Sequence, residues 1–389
     1  MKDIKRIYID YNATTPIKPE VKDAIVEDLE IFGNASSLHT AGRLAKTRVT
    51  QARTAVGKLL GVPPKTIVFT SGGSEANNTV FQTMRRLAVE DSSKTGRNEF
   101  IITAVEHPCV LNAAMDLEKQ GFKVTVLPVD EYGKIRLDDL RKALSEKTLL
   151  VSVMAANNEI GTIQDIKEIT QLVKASGAWM HTDAVQAVGK IPVNAHDWGV
   201  DYLTMSAHKI YGPKGVGALY IKEKSPIIPL IRGGHQEDGL RAGTYNNIGI
   251  LGFGKAAEIA AAEVEKYGKE ISALRDRLRW GIEAGIPNIR INSNAKNVLP
   301  NTLNVSFPGA EGEAILLSLD IKGIEASTGS ACASGSLEPS HVLMAIGLGP
   351  EMAHGSIRFS LGWGLTEGDI DYIIGTLPPV IGRLRIIAH

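Results

Sequence analysis

The chain has 389 residues, 43% of them hydrophobic and 22% charged; this length exceeds one small core and predicts two domains. Lysine plus arginine equals aspartate plus glutamate at 43 each, which excludes a general attraction to nucleic acid or to an anionic membrane. Two cysteines cannot form a disulfide framework, the N-terminus is too charged for a signal peptide, and no uncharged apolar run reaches the roughly 18 residues of a membrane helix. We therefore expect a cytoplasmic protein with neither nucleic acid nor a membrane as a partner.

Short apolar runs punctuate the first two-thirds of the chain, and most are continuous, as in strands that are buried on both faces. They cover residues 66–70, 99–103, 123–127, 148–154, 179–182, 201–205 and 217–221. Helical periodicity separates several of them; it is clear at residues 165–176, where Gly177 is a candidate C-cap. This alternation predicts an α/β fold with a mostly parallel seven-stranded sheet, helices on both faces, and ligands at the carboxyl ends of the strands.

A long helical stretch at residues 248–284 ends this alternation, and we place a domain boundary near its start. Strand candidates follow at residues 302–306 and 356–361, and a final helix is predicted over residues 367–386. The expected division is into a large domain of residues 15–255 and a small α+β domain of residues 1–14 and 256–389.

Two residues far apart in the sequence suggest chemistry on the sulfur of an amino acid. Cys332 lies in a run of small residues at 326–337, whereas a structural thiol is usually packed among bulky apolar neighbours. A thiol on a flexible loop is accessible and can be carried to a substrate. Lys209 directly follows a predicted strand, and its amine can form an imine with a carbonyl cofactor. Lys214 in the same loop is a rival, and the alternative for either lysine is an ordinary exposed side chain.

Other polar residues close predicted strands at the same edge of the sheet. Gly73 and Ser74 lie where a strand ends and a helix opens, so free N–H groups there can bind a phosphate; an ordinary strand-to-helix turn is the alternative. Asp183 could hold a positive charge on a heterocyclic nitrogen, as pyridoxal phosphate requires, and Gln186 could donate a hydrogen bond nearby. The alternative for Asp183 is a cap of the next helix.

The remaining candidates have structural alternatives as well. His107 and Asn158 also end strands, and His107 could stack on a ring or move a proton. Arg358 could clamp a carboxylate with two hydrogen bonds, or it could form a surface ion pair. Cys109 is expected to be a packed or incidental thiol. The nine histidines show no zinc-type pairing, so no dedicated metal site is expected.

Taken together, these segments resemble the pyridoxal-phosphate-dependent cysteine desulfurases of the nitrogen-fixation and iron–sulfur-cluster type, in the class-V aminotransferase family. The resemblance runs nearly end to end. It rests on YIDYNATTP at 8–16, GNASSLH at 33–39, TDAVQ at 182–186, SAHK at 206–209, GLRAGT at 239–244 and STGSACASGSLEPSH at 327–341. It implies the aspartate-aminotransferase-like fold (pyridoxal-phosphate fold type I), pyridoxal 5′-phosphate as cofactor, and a homodimer.

The resemblance also implies a role for each candidate residue. Lys209 looks like the residue that holds the cofactor as an imine, His107 like the ring-stacking acid/base, and Cys332 like the residue that takes the sulfur. The other implied roles are Asp183 at the pyridinium nitrogen, Gln186 and Asn158 near the ring oxygen, Gly73, Ser74, Ser206 and His208 at the phosphate, Thr244 at the phosphate of the other subunit, and Asn34 and Arg358 at the substrate carboxylate. Cys332 could also ligate an iron–sulfur cluster transiently.

The chain departs from the family pattern in three places. The family usually has Ala-Thr where this chain has Gly73 and Ser74, although serine keeps the hydroxyl. His235 stands where the family often has glycine, and Trp363 replaces a common arginine. These departures concern docking surfaces and loop packing more than the chemistry.

The implied function is conversion of L-cysteine to L-alanine, with the sulfur transferred to Cys332 as a persulfide. The sulfur would serve iron–sulfur cluster assembly or other pathways, with a cluster scaffold or a tRNA-modification enzyme as acceptor protein. The alternatives are a selenocysteine lyase or another fold-type-I enzyme such as an aminotransferase, which has no use for a thiol on a flexible loop. A non-catalytic scaffold is disfavoured because Lys209 and Cys332 are both present, and a nucleotide-binding oxidoreductase because the dinucleotide spacing is missing.

Overall fold

The computed structural model describes residues 5–90, 96–328 and 338–387. The predicted sulfur-accepting residue, Cys332, lies outside the described residues. Within the described ranges, no helix combines the length and the apolar character needed to cross a bilayer.

Strands and helices alternate along the described ranges, and each kind is numbered in chain order. The strands are β1 Ile7–Tyr8, β2 Ile67–Thr70, β3 Glu99–Thr103, β4 Lys123–Leu127, β5 Thr148–Ser152, β6 Trp179–Asp183, β7 Tyr202–Ser206, β8 Gly217–Ile221, β9 Arg290–Ile291, β10 Thr302–Ser306, β11 Ile324–Glu325 and β12 Ser356–Ser360. The helices are α1 Pro19–Asp28, α2 Thr40–Leu60, α3 Gly73–Glu90, α4 Pro108–Lys119, α5 Leu137–Ala143, α6 Ile166–Ala175, α7 Ala195–Trp198, α8 Asn247–Gly285, α9 Gly312–Ile321, α10 His341–Ala345, α11 Pro350–His354 and α12 Glu367–Ile387.

The central sheet has seven strands in the order β2-β8-β7-β6-β5-β3-β4. The neighbouring pairs from β7 through β4 are parallel, whereas β8 runs antiparallel to both β2 and β7. All strands of this sheet except β8 therefore have their carboxyl ends at one edge. The seven strands and the mostly parallel α/β sheet that the apolar runs predict are confirmed.

The continuous apolar character of these strands reflects burial on both faces. Phe100 and Leu150 belong to one apolar cluster together with Phe81 of α3. Their neighbours in the chain, Ile101 and Val151, belong to the other cluster. Because successive side chains of a strand point to opposite faces, the two clusters cover the two sides of the sheet. Full burial of each such side chain stabilises the fold by about 1.5–3 kcal/mol.

The predicted helices form where their periodicity places them. In α6, Ile166, Ile169 and Val173 are buried on one stripe, and Gly177 follows the helix with φ 77°, a left-handed conformation that glycine adopts without steric cost. In the 39-residue helix α8, the first half packs into the main core, and the second half packs through Leu278 and Ile282 into a separate cluster.

The separate cluster is built on a small antiparallel sheet in the order β12-β10-β9. Ile357 and Phe359 of β12 point into it, which leaves Arg358 on the opposite face. Residues of α10 such as Val342 and Leu343 pack with the main core instead. The division at residues 15–255 against 1–14 and 256–389 stays a prediction.

Candidate active site

A cavity of about 230 Å³ lies at the carboxyl edge of the central sheet. Ten of the predicted site residues line it, namely Gly73, Ser74, His107, Asn158, Asp183, Gln186, Ser206, His208, Lys209 and Arg358. The convergence follows from topology, because parallel strands deliver the residues at their carboxyl ends to one edge. Six further described residues line the cavity, and the sequence had assigned none of them a role in the site: Asn12, Ala13, Asn77, Cys109, Met154 and Val185.

Two predicted residues do not line this cavity. Asn34 is exposed, and its Oδ1 accepts a hydrogen bond from the Ser36 N–H at 2.9 Å. Thr244 is also exposed, as a residue that serves the other subunit's cofactor would be in a single chain. The roles assigned to both residues stay predictions.

Lys209 reaches the cavity from the short 3₁₀ turn Ala207–Lys209, directly after β7. Its Nζ donates hydrogen bonds to the carbonyl oxygens of Asn12 and Ala13, the latter at 2.7 Å. The rival Lys214 is exposed and is not part of the cavity lining. The geometry therefore favours Lys209 as the amine of the site.

Asp183 ends β6 and is nearly buried, with its carboxylate held by two donors. Asn77 Nδ2 donates to Oδ2 at 2.7 Å, and the Val185 N–H donates to Oδ1 at 3.0 Å. Two donors fix the orientation of the carboxylate, so that it can face the protonated nitrogen of a ring. The Val185 contact is a local turn bond, and no helix begins directly after Asp183, so the alternative of a helix cap is wrong. Asn77 could have been found from its position one helical turn after Gly73.

An anion cradle lies beside Asp183. Helix α3 begins at Gly73, where a Cβ atom would come within 2.9 Å of Val185 Cγ2, so the start of the helix lies close against the turn after β6. The first N–H groups of a helix have no partner within the helix, and they are available to a phosphate. Ser206 and His208 complete this end of the cavity, and burial lowers the pKa of His208 to about 4, so its imidazole is neutral near pH 7.

These groups fit the pyridoxal phosphate that the resemblance implies. An amine, a fixed carboxylate and an anion cradle share one cavity, and they match the aldehyde, the ring nitrogen and the phosphate of that cofactor. Within the described ranges, no cluster of three or more His, Cys, Asp or Glu side chains could hold a metal ion.

His107 and Cys109 form a contact pair in the cavity wall. His107 caps α4, and its Nδ1 accepts the Cys109 backbone N–H at 3.2 Å and lies 3.0 Å from Cys109 Sγ. Because a backbone N–H only donates, the neutral ring carries its proton on Nε2. Burial lowers the pKa of His107, which favours that neutral form. Cys109 is therefore part of the site, and burial raises the pKa of its thiol to about 12, so it is unreactive at neutral pH.

Arg358 is only 1% exposed, so the alternative of a surface ion pair is wrong. Its Nη2 pairs with Asp10 Oδ1 at 2.6 Å, and its Nη1 donates to the Asn158 carbonyl oxygen at 3.0 Å. Its buried Nε has no hydrogen-bond partner among the described residues. The guanidinium lines the cavity, and its Nε is a buried donor without an acceptor. A substrate carboxylate would supply that acceptor.

Glu106 precedes His107 and is fully buried, and burial raises its pKa from 4.5 to about 8. Between these two pH values the folded protein keeps a proton on Glu106 that the unfolded chain releases. The contribution of Glu106 to the free energy of unfolding is therefore fully present below pH 4.5 and is lost as pH rises through about 8. Glu106→Gln can keep the two hydrogen bonds that Oε1 accepts from Thr103 and Met154, and it cannot ionise. Between pH 4.5 and about 8, the thermal midpoint of Glu106→Gln should therefore fall less than that of the wild type. The difference between the two decreases should be about 2 °C or more.

The measurement is thermal unfolding of the cofactor-free chain at several pH values across that interval. Glu118→Gln, on the exposed side of α4, is the matched control and should follow the wild-type curve. Parallel curves for Glu106→Gln and the wild type would contradict a protonated Glu106.

Comparison with known proteins agrees with this geometry. The class-V aminotransferase family model matches residues 7–373. Cysteine desulfurase IscS of Clostridium botulinum (strain Hall) is 50% identical over 384 residues, which are 98% of this chain and 96% of that protein. A solved NifS-like protein superimposes with a TM-score of 0.90 at 39% identity, covering 97% of this chain and 100% of that one. The solved structure of SspA in complex with cysteine has a TM-score of 0.79 at 35% identity, covering 91% and 98%. Because these matches extend over nearly the full length of both partners, the chain belongs to the class-V aminotransferase family and, within it, to the pyridoxal-phosphate-dependent cysteine desulfurases.

Proposed function

We propose that this chain converts L-cysteine to L-alanine and transfers the sulfur to Cys332 as a persulfide. The observation that carries the proposal is the convergence of Lys209, Asp183, the anion cradle at Gly73 and the spare donor of Arg358 in one cavity. The names of the relatives support the same reaction, and SspA was solved with cysteine bound. The steps balance without an added oxidant. The carbon–sulfur bond of cysteine breaks, a sulfur–sulfur bond forms on Cys332, and the β-carbon gains a proton.

Each residue of the cavity has a task in this reaction. Pyridoxal phosphate, when bound, supplies the electron sink that weakens the bonds of the substrate. Arg358 binds the substrate carboxylate, and Asp183 holds the positive charge on the ring nitrogen. Lys209, the amine in the cavity wall, would hold the cofactor, and its Nζ would accept the proton from the substrate α-carbon. His107 moves a proton at Nε2, the nitrogen that its contact with Cys109 leaves free.

The persulfide is tested by replacing Cys332 with serine. The variant should keep its cofactor, and persulfide formation should fall to background, because a hydroxyl does not attack sulfur at neutral pH as a thiolate does. The measurement is peptide mass spectrometry after incubation with isotopically labelled cysteine. Cys109→Ala is the matched control for the second thiol, and the labelled sulfur should remain at Cys332. Sulfide release at an undiminished rate from Cys332→Ser would refute the carrier role.

A selenocysteine lyase is the alternative function that the sequence leaves open. Alanine release from equal concentrations of cysteine and selenocysteine separates the two. A preference for selenocysteine by more than about 10-fold in kcat/KM would favour the lyase.

The proposal includes a homodimer in the cytoplasm that delivers sulfur to an acceptor protein, either a cluster scaffold or a tRNA-modification enzyme. Phe32 and Leu38, on either side of Asn34, are 86% and 89% exposed, which is a large apolar area for a free surface. If a second copy of the chain covered this area, Asn34 would lie in the contact between the two subunits. The balanced charge and the use of only two cysteines support the cytoplasm.

A further inference from the structure

We propose that Lys190 is a positioning residue of the cofactor site, which fixes the side-chain amide of Gln186 so that its N–H end faces the cavity. Lys190 does not line the cavity and belongs to none of the groups described above. The inference rests on the proposed role of Gln186 as a donor to the ring oxygen of the cofactor.

Lys190 is 3% exposed, and none of the ion pairs found among the described residues includes it. Its Nζ instead contacts two neutral acceptors, Asn12 Oδ1 at 2.8 Å and Gln186 Oε1. Burial, with Lys209 and Arg358 nearby, lowers the pKa of Lys190 well below its ordinary value. A neutral amine still has two N–H bonds, which equals the number of these acceptors, so Lys190 donates to both in either charge state.

The two ends of the Gln186 amide are fixed from opposite sides. Lys190 donates to Oε1, and Nε2 donates to the Asn12 backbone carbonyl at 2.9 Å. A flipped amide would place Oε1 against the Asn12 carbonyl oxygen, and two acceptors cannot form a hydrogen bond. It would also place Nε2 against Lys190 Nζ, which, when it is protonated, only donates. Both contacts therefore select the same orientation, and the second N–H of Nε2 is left for a group in the cavity.

Asn12 is held in the same way. Its Oδ1 accepts from Lys190 and from Asn301 Nδ2 at 2.9 Å, and its Nδ2 donates to the Asn158 carbonyl at 3.0 Å and to Thr302 Oγ1 at 2.8 Å. The Asn12 carbonyl also accepts from Lys209. Lys190 therefore supports, through one residue, the backbone that Lys209 and Gln186 both contact.

The test is a double-mutant cycle with Lys190→Met and Gln186→Ala in the full-length chain. The measured quantity is the dissociation constant for pyridoxal phosphate, titrated into each cofactor-free variant, together with the visible absorption band of each loaded protein. Lys190→Met should weaken binding by about 10-fold, because it leaves a buried acceptor on Gln186 without its donor and frees the amide to turn. In the Gln186→Ala background the same change should weaken binding by less than about 2-fold.

Two results would overturn the inference: unchanged affinity and absorption in Lys190→Met, or an equal loss of affinity whether or not Gln186 is present. The second result would show that Lys190 acts without Gln186, either through Asn12 or through the stability of the fold. If Lys190→Met does not fold, Lys190→Gln replaces it, because its side chain is polar and its amide presents an acceptor as readily as a donor. Failure of the proposed function is distinguishable, because the wild-type chain would then form no alanine or persulfide from cysteine, whereas this test measures cofactor binding alone.

Discussion

Lys209→Ala is expected to abolish covalent attachment of pyridoxal phosphate and to lower alanine formation from cysteine by more than about 1,000-fold. The lysine supplies the only amine in the cavity wall that the structure describes, and the proposed proton transfer at the substrate α-carbon depends on the same Nζ. The change also removes the hydrogen bonds to the carbonyl oxygens of Asn12 and Ala13, so a loss of about 1 kcal/mol per bond in stability is expected. Borohydride reduction followed by intact mass measurement reports the covalent bond directly.

Lys214→Ala is the matched control for this experiment. Lys214 lies five positions further along the same loop and is exposed, so its variant should gain the mass of the reduced cofactor as the wild type does. Covalent labelling of Lys209→Ala to the wild-type extent would show that another amine holds the cofactor, and the assignment of Lys209 would then be wrong.

The central sheet was predictable because its strands are buried on both faces. Such strands are continuous apolar runs in the sequence, and the helices between them are recognised by their periodicity. The strands β3, β4 and β8 begin and end at the residues that the sequence predicts. The order of the strands was not predictable, because β8 inserts between β7 and β2, and its pairing with β2 joins segments far apart in the chain. Packing of α10 with the main core is a similar long-range fact.

The residues of the site also fall into those that the sequence could predict and those that it could not. Lys209 and Asp183 could be selected because a strand end at the carboxyl edge of a parallel sheet is a position that the sequence reveals. Asn12 and Lys190 could not, because neither ends a strand of that sheet, and their roles depend on contacts between residues 178 positions apart. Polar residues that hold other polar residues carry no local pattern, and only the hydrogen-bond network identifies them.

Trp363 lies outside the cavity; two of its contacts are made by its backbone, and one is made by its ring. The Trp363 N–H donates to Tyr211 Oη at 2.9 Å, its carbonyl accepts from Tyr11 Oη at 2.8 Å, and Lys18 Nζ lies 5.6 Å from its ring centroid. None of these groups lines the cavity. The substitution therefore changes an aromatic cluster beside the site and leaves the reacting groups in place.

Arg358→Lys is expected to raise KM for cysteine by about 30-fold or more, with a smaller change in kcat. Lysine keeps the positive charge but cannot offer Nε and a second nitrogen to a carboxylate while it also pairs with Asp10. The unmatched Nε of the wild-type side chain is the donor that the substrate would use, so its loss acts on binding. Steady-state kinetics over a range of cysteine concentrations gives KM and kcat separately, and an unchanged KM would remove Arg358 from the carboxylate clamp.

Asp10→Asn separates the effect of the guanidinium from that of its ion pair. This variant keeps Arg358 and its bond to the Asn158 carbonyl, and loses only the charge that faces Nη2. Its KM should rise less than that of Arg358→Lys, because the donor for the substrate is still present. An equal rise in both variants would mean that Asp10, by holding the guanidinium in place, accounts for the whole effect. Arg358→Ala should in addition lower the thermal midpoint, because it leaves the half-buried Asp10 carboxylate without its ion-pair partner.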